Sequence, residues 1–268
     1  DRARGIDDHR NQTIHIDVYI PRDARAGTYN GAVRISSSSQ AIDIPVRLDV
    51  HDFALPDTLT FCTELNTYAM PSNALEYHLL AHQQRLVFLP WVATPDTEGS
   101  GANLQLSWER YDAEVGPLLS GSALSRNRRA GVPTPVMYLP FSDRWPTPPT
   151  PETYRYDGYW PVKGDSPDTL IEHYLTAPYI GDGLTASYQA AFASAQRQFV
   201  EHFAANGWNR TEMQLFFGGK ISHRVDFGTN LWWSTDEPYH WNDWLALQFF
   251  GHLWASGRQA LGADPDLW

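Results

Sequence analysis

The segment Trp232-Trp233-Ser234-Thr235-Asp236-Glu237-Pro238 concentrates more chemistry than any other stretch of this chain. A short apolar run delivers two carboxylates side by side, and a proline then stops the strand. If the run is a strand of a parallel barrel, its C-terminal end lies on the face where active sites form. Neighbouring side chains on an extended backbone diverge. Two adjacent acids therefore cannot flank one scissile bond from opposite sides as a separated nucleophile and acid/base do. They can divide the labour instead: one protonates a leaving oxygen, while its neighbour orients a nucleophile belonging to the substrate. The plainer alternative is an acidic turn before a helix, where Asp and Glu complement the helix dipole. Spacing alone divides these two readings about evenly.

Other reactive side chains are more scattered. Glu64, near the end of a strand expected over 59–67, and Asp143, just beyond one expected over 135–141, can reach the same face. His78 and His82 stand four residues apart on an expected helix, the spacing that offers two imidazoles to a metal. The run His78-Leu79-Leu80-Ala81-His82 lacks the Glu that follows the first His in zincins, so two ordinary helix histidines are the better reading. No phosphate-binding glycine loop and no nucleophile elbow occurs, and Gly99-Ser100-Gly101 reads as a flexible turn. Neither a metal nor a cofactor is expected.

The elements that must position these groups fall into two parts. Ile14, Ile16, Val18 and Ile20 alternate with polar residues, as do Ile42, Ile44, Val46, Leu48 and Val50. This is the period of half-buried strands, and no helical pattern interrupts it. An antiparallel sheet, read as part of a sandwich, is expected over residues 1–54. Leu55-Pro56-Asp57 reads as a linker. From residue 58 the rhythm changes to strands near 59–67, 86–91, 135–141, 213–217 and 231–234, with helices over 75–85, 188–206 and 242–256. Strands alternating with helices imply a parallel sheet with helical crossovers, either a barrel or a doubly wound sheet. Long loops fill 94–108 and 142–179; the second is rich in Pro, Tyr and Trp and reads as an ordered lid.

Composition narrows the partners. A net charge of −11 argues against nucleic acid, whose phosphates demand clustered Lys and Arg. The short group Arg126, Arg128 and Arg129 reads as a solvated face. No apolar stretch approaches the roughly 18 residues a membrane helix needs. No charged and apolar leader opens the chain, and the lone Cys62 excludes an internal disulfide framework. Eleven Trp, thirteen Tyr and twelve Phe make 13% aromatic residues. Much of that is core, but flat sugar C–H faces stack on such rings, so a carbohydrate partner fits.

With those residues in view, the chain resembles glycoside hydrolase family 123, the β-N-acetylgalactosaminidases and their uncharacterised relatives. The resemblance runs over nearly the whole chain. It rests on Val18-Tyr19-Ile20-Pro21 through Ala26-Gly27-Thr28-Tyr29-Asn30-Gly31, on Leu55-Pro56-Asp57, on Trp108-Glu109-Arg110-Tyr111-Asp112 through Gly121, and on Gly207-Trp208, Lys220, Trp233 and Asp236-Glu237-Pro238. It implies a β-sandwich over 1–54 followed by an incomplete (β/α)8 TIM-type barrel over 58–268, of which only the first part is present. It also implies retaining, substrate-assisted hydrolysis of a terminal β-linked 2-acetamido sugar, N-acetylgalactosamine first. Asp236 would orient the acetamido group and Glu237 would be the general acid/base. Trp233 and Tyr239 are the expected aromatic walls of the pocket, with Trp145 and Trp160 from the long loop behind them and Glu64 and Lys220 as further binding groups. The compartment stays open, with secretion, the periplasm or the cell surface favoured. Three alternatives remain: a non-catalytic carbohydrate-binding protein on the same scaffold, a structural or interaction protein whose main functional part is the early sandwich, and a glycosidase pairing one acid here with a distant carboxylate such as Glu64.

Overall fold

The alternation of Ile42, Ile44, Val46, Leu48 and Val50 produces strand β2 (Ala41–Val50), paired antiparallel with β1 (Gly27–Ser36). In this computed structural model the described residues are 13–67, 71–89, 94–160, 164, 166, 168, 179–181, 183–219 and 233–268. They divide into two compact units, Asp1–Pro56 and Asp57–Trp268.

In the first unit the ten register pairs run from Gly27 opposite Val50 to Ser36 opposite Ala41. The turn between them closes with Ser37 N–H donating to Gln40 O at 2.7 Å. Arg34 and Asp43 face each other in that register, joined by two hydrogen bonds of 2.7 Å, and Thr28 Oγ1 donates to Asp49 at 2.6 Å. Among the described residues the expected sandwich is not found. The hairpin is a two-stranded sheet, residues 14–20 form no strand, and Ile14, Ile16, Val18, Ile42 and Ile44 are all exposed. Alternation assigns side chains to faces; it does not supply the second sheet that would cover one of them.

In the second unit two parallel pairs recur. β3 (Thr63–Asn66) runs beside β4 (Leu86–Leu89), and β7 (Val136–Leu139) beside β8 (Glu212–Leu215). The crossover between β3 and β4 is helix α1 (Ala74–Gln83). A short antiparallel pair, β5 (Asp96–Glu98) and β6 (Gln105–Ser107), interrupts the rhythm before helix α2 (Glu109–Leu119). Helices α3 (Ala186–Ala205) and α4 (Trp241–Leu261) follow.

The expected TIM-type barrel is therefore corrected: the described strands form four separate two-stranded sheets, with no closed barrel. The strand–helix rhythm is common to every parallel layout, and closure needs a continuous ladder that four-residue strands paired two by two do not make. Most of the apolar mass lies among helices instead. Tyr188, Phe192, Phe199 and Phe203 of α3 pack with Tyr111 of α2, Phe141 and Phe250 of α4, whereas Val87, Leu89 and Val136 form a small separate core between strands.

Helix α3 shows why these residues give a helix. Tyr188, Ala191, Phe192, Ala195, Phe199 and Phe203 recur at three- and four-residue steps and are all buried. Thr185 caps the start by accepting from Tyr188 N–H at 3.4 Å. Gly207 ends it at φ +67, a conformation that favours glycine. No described helix is long and apolar enough to cross a membrane.

Candidate active site

The parallel strands β3, β4, β7 and β8 end at one cleft of about 270 Å³, lined by Asn66, Leu89 and Leu139 at the strand ends and by Phe216, Gly218 and Gly219 just past β8. Its aromatic character comes from two pairs. Tyr138 stacks on Phe216 with ring centres 5.3 Å apart and 17° between planes, and Phe141 meets Trp145 edge to face at 5.0 Å. Tyr138 Oη donates to Asn66 Oδ1 at 3.1 Å. Partial burial, with the Glu64 carboxylate nearby, pushes the Tyr138 phenol upward, so it stays a neutral donor at ordinary pH. The buried carboxylate Asp143, 2% exposed, belongs to the same lining.

Asp236 and Glu237 sit beside this cleft rather than in its lining. Their loop is braced from two sides. Asp236 N–H donates to Gly219 O at 3.0 Å, Gly219 N–H donates to Thr235 Oγ1 at 3.1 Å, and Thr235 Oγ1 donates to Phe217 O at 2.9 Å. The loop is thus sewn to the segment that forms one cleft wall. On the other side stands Asp243, fully buried in the first turn of α4. Its Oδ1 accepts from Ser234 N–H at 2.9 Å, and its Oδ2 accepts from Tyr239 N–H at 3.0 Å and His240 N–H at 2.8 Å. His240 is the N-cap of α4 and closes a capping box with Asp243. Ser234 Oγ donates to Glu237 O at 2.9 Å. Asp236 is half-buried and Glu237 exposed, so the pair carries its carboxylates on a fixed backbone at the surface beside the cleft.

The other expected site residues scatter. Trp145 lines the cleft. Trp233 is 1% exposed and packs edge to face on Tyr154 at 5.6 Å, in the core beneath the acid loop. Tyr239 is 74% exposed and continues into the exposed Trp241 and Trp244. Glu64 is exposed and accepts from Gln214 Nε2 at 3.0 Å. Trp160 packs against the larger core and donates from Nε1 to Tyr156 O at 3.1 Å. Lys220 lies outside the described residues.

His82 is engaged on both ring nitrogens, with Nε2 3.1 Å from Val132 O and Nδ1 3.1 Å from Asn127 Nδ2. The carbonyl requires a donor, which fixes the neutral Nε2–H tautomer and leaves no lone pair for a metal. Burial, then the neighbouring Arg129 guanidinium, lower its pKa to about 4, and burial alone lowers His78 to about 4. Arg129 is not on a solvated face: it is buried and donates to Asp57 O at 2.8 Å and His82 O at 3.0 Å.

Asp243 does not stand out in the sequence, because an acid in a first helical turn is common; its sequence signal is its place three residues after a capping histidine. No protein-family model, curated protein or solved structure matches this chain.

Proposed function

We propose that this chain is a retaining glycoside hydrolase of the substrate-assisted kind, acting on a terminal β-linked 2-acetamido sugar through Asp236 and Glu237. The observation that carries the reading is the hydrogen bond from Asp236 N–H to Gly219 O, which ties two adjacent carboxylates to the wall of an aromatic cleft. An aromatic lining with a few polar groups suits the flat faces and hydroxyl edge of a sugar ring. Adjacent carboxylates suit a reaction in which the enzyme supplies no nucleophile.

The acetamido oxygen attacks the anomeric carbon as the bond to the leaving oxygen breaks, giving an oxazolinium ion. Glu237 donates its proton to the leaving oxygen. Asp236 accepts the amide N–H, which strengthens the attacking oxygen. Water then attacks the anomeric carbon as its bond to the acetamido oxygen breaks, which regenerates the neutral acetamide, and Glu237 takes the proton of that water, restoring the starting state with retained configuration.

The test is a panel of glycosides with and without the 2-acetamido group. Glu237→Gln is expected to lower kcat roughly 10²–10⁴-fold for poor leaving groups and much less for aryl glycosides. Asp236→Asn should slow all leaving groups alike. A substrate with hydroxyl in place of acetamido should be almost inert; equal turnover of the two would overturn the reading. One observation favours a second reading: neither Asp236 nor Glu237 belongs to the cleft's lining. Sugar binding without hydrolysis, unchanged in both variants, would establish a carbohydrate-binding protein instead.

A further inference from the structure

Two side chains of the cleft are bonded to each other and still have bonding capacity to spare. Tyr138, on β7, donates from Oη to Oδ1 of Asn66, the last residue of β3, at 3.1 Å. Both line the cleft, and Asn66 is exposed while Tyr138 is half-buried, so the pair is open to a ligand. The phenol is held at both ends, by this bond and by its ring stacked on Phe216 at 5.3 Å. Among the described residues neither side chain has a second hydrogen-bond partner. A phenol offers one donor and an acceptor, and a carboxamide two donors and an acceptor. The bond between them uses the phenol proton, leaving the Asn66 Nδ2 hydrogens to give and the Oη lone pair to receive. Turning the amide over only exchanges the roles: Nδ2 then donates to Oη, the phenol proton is open and Oδ1 accepts. Either way a donor and an acceptor remain at most about 5.5 Å apart, a span that one oxygen bonded to both at about 2.9 Å can bridge.

We propose that Tyr138 and Asn66 together read one free hydroxyl of the sugar, at its 3-, 4- or 6-position, and so set the specificity of the cleft. The proposal rests on the glycan reading above. A hydroxyl gives and accepts from a single oxygen, whereas a carboxylate only accepts and an ammonium only donates. The 2-acetamido arm does not fit the pair, because a trans amide points its N–H and C=O to opposite sides. The two residues come from different parallel strand pairs, so the fold sets their spacing before any ligand arrives. Groups arranged in advance lose less freedom on binding. A site that hydrogen-bonds a hydroxyl rejects the analogue lacking it, because its own polar groups are then left unpaired. Here water reaches the open pair and softens that penalty.

The experiment compares the native chain with Tyr138→Phe, which deletes the hydroxyl and keeps the ring, using the 2-acetamido-2-deoxy sugar and its 3-, 4- and 6-deoxy analogues. Binding is followed by calorimetry and hydrolysis by kcat and KM on the matching aryl glycosides. One analogue is expected to bind the native chain about 3- to 10-fold more weakly than the parent sugar. Tyr138→Phe should weaken the parent by a similar factor, with KM rising and kcat little changed, and should cost that one analogue nothing further. The other two analogues should lose as much in the variant as the parent does. Asn66→Ala, at an exposed position, repeats the comparison from the other partner should Tyr138→Phe fold poorly. A merely structural role for the pair would weaken all the sugars alike. That result, or native affinity for every deoxy analogue, or an unchanged KM in both variants, overturns the role of Tyr138 and Asn66 and leaves the hydrolase reading standing. A native chain that neither binds nor cleaves any of these sugars overturns both.

Discussion

The hairpin of β1 and β2 and the loop over 234–240 both satisfy a short stretch of backbone, and they do so by opposite means. The hairpin uses ten consecutive register pairs, almost all at exposed positions, reinforced by the surface pair Arg34 and Asp43. The loop has no ladder. Its N–H groups at Ser234, Tyr239 and His240 converge on the two oxygens of Asp243, and that of Asp236 goes to Gly219 O. The hairpin spreads its support over many weak, replaceable contacts between near neighbours. The loop concentrates its support in one buried carboxylate, and the residues proposed to do chemistry ride on it. The first arrangement tolerates substitution; the second should not.

The largest expected effect follows directly. Asp243→Ala removes the acceptor of three N–H groups, one buried and two partly buried, and a buried orphan costs about 1–3 kcal/mol. We expect a total loss of about 2–3 kcal/mol in urea unfolding. All eleven Trp follow residue 56, so their fluorescence reports the second unit alone. Asp243→Asn keeps one carbonyl acceptor and should lose less stability, while lowering kcat of the proposed hydrolysis more than it raises KM. An Asp243→Ala protein as stable as the native one would erase the contrast with the hairpin.

A second effect separates the units by pH. The His82 imidazole is held neutral, its pKa lowered from 6.5 to about 4 by burial first and then by Arg129 and Arg85, against the Val132 carbonyl. The unfolded chain binds the proton more readily, so this contribution is complete above about pH 6.5 and falls away as pH drops toward 4. For one such group the loss amounts to at most about 3 kcal/mol. His78, lowered to about 4 by burial, acts in the same direction in the same window. Stability read from Trp fluorescence should therefore decline between pH 6.5 and 4, and His82→Gln should flatten that decline. A native profile level across this window would show that neither imidazole is kept neutral.

These contrasts also explain what could be read from the sequence. Helix α3 was legible because Tyr188, Phe192, Ala195, Phe199 and Phe203 announce a buried stripe, and Gly207 its end. The segment around Asp236 and Glu237 stood out because two acids beside a proline are an unusual juxtaposition. The barrel and the sandwich were overread, because alternation and strand–helix rhythm describe local backbone and not which strands pair. Trp233, Arg129 and Asp243 depend on contacts made elsewhere in the fold. An indole suits a sugar platform or a core equally well, and Trp233 went to the core. Arg129 sat in a basic run, yet the carbonyls of Asp57 and His82 supply what water would have.

The smallest expected effect tests the hairpin's side of the comparison. Arg34 and Asp43 form a bidentate pair with both bonds at 2.7 Å, short and well aligned. Their side chains remain 70% and 50% exposed, so water and salt screen the attraction. The guanidinium holds the Asp43 carboxyl below its usual range. Whatever the pair contributes is thus present above the ordinary carboxylate pKa and lost as pH falls through the lowered one, below the window in which the histidines titrate. Asp43→Asn keeps the size of the side chain and leaves the ten backbone pairs untouched. Hydrogen exchange of the β1 and β2 amides should stay close to native at neutral pH, and the small remaining difference should vanish in high salt. The Trp-reported unfolding should not move at all. A large, salt-resistant loss of hairpin protection would mean that this unit also depends on a single ion pair. The two regions would then differ in where they place their critical carboxylate, not in whether they have one.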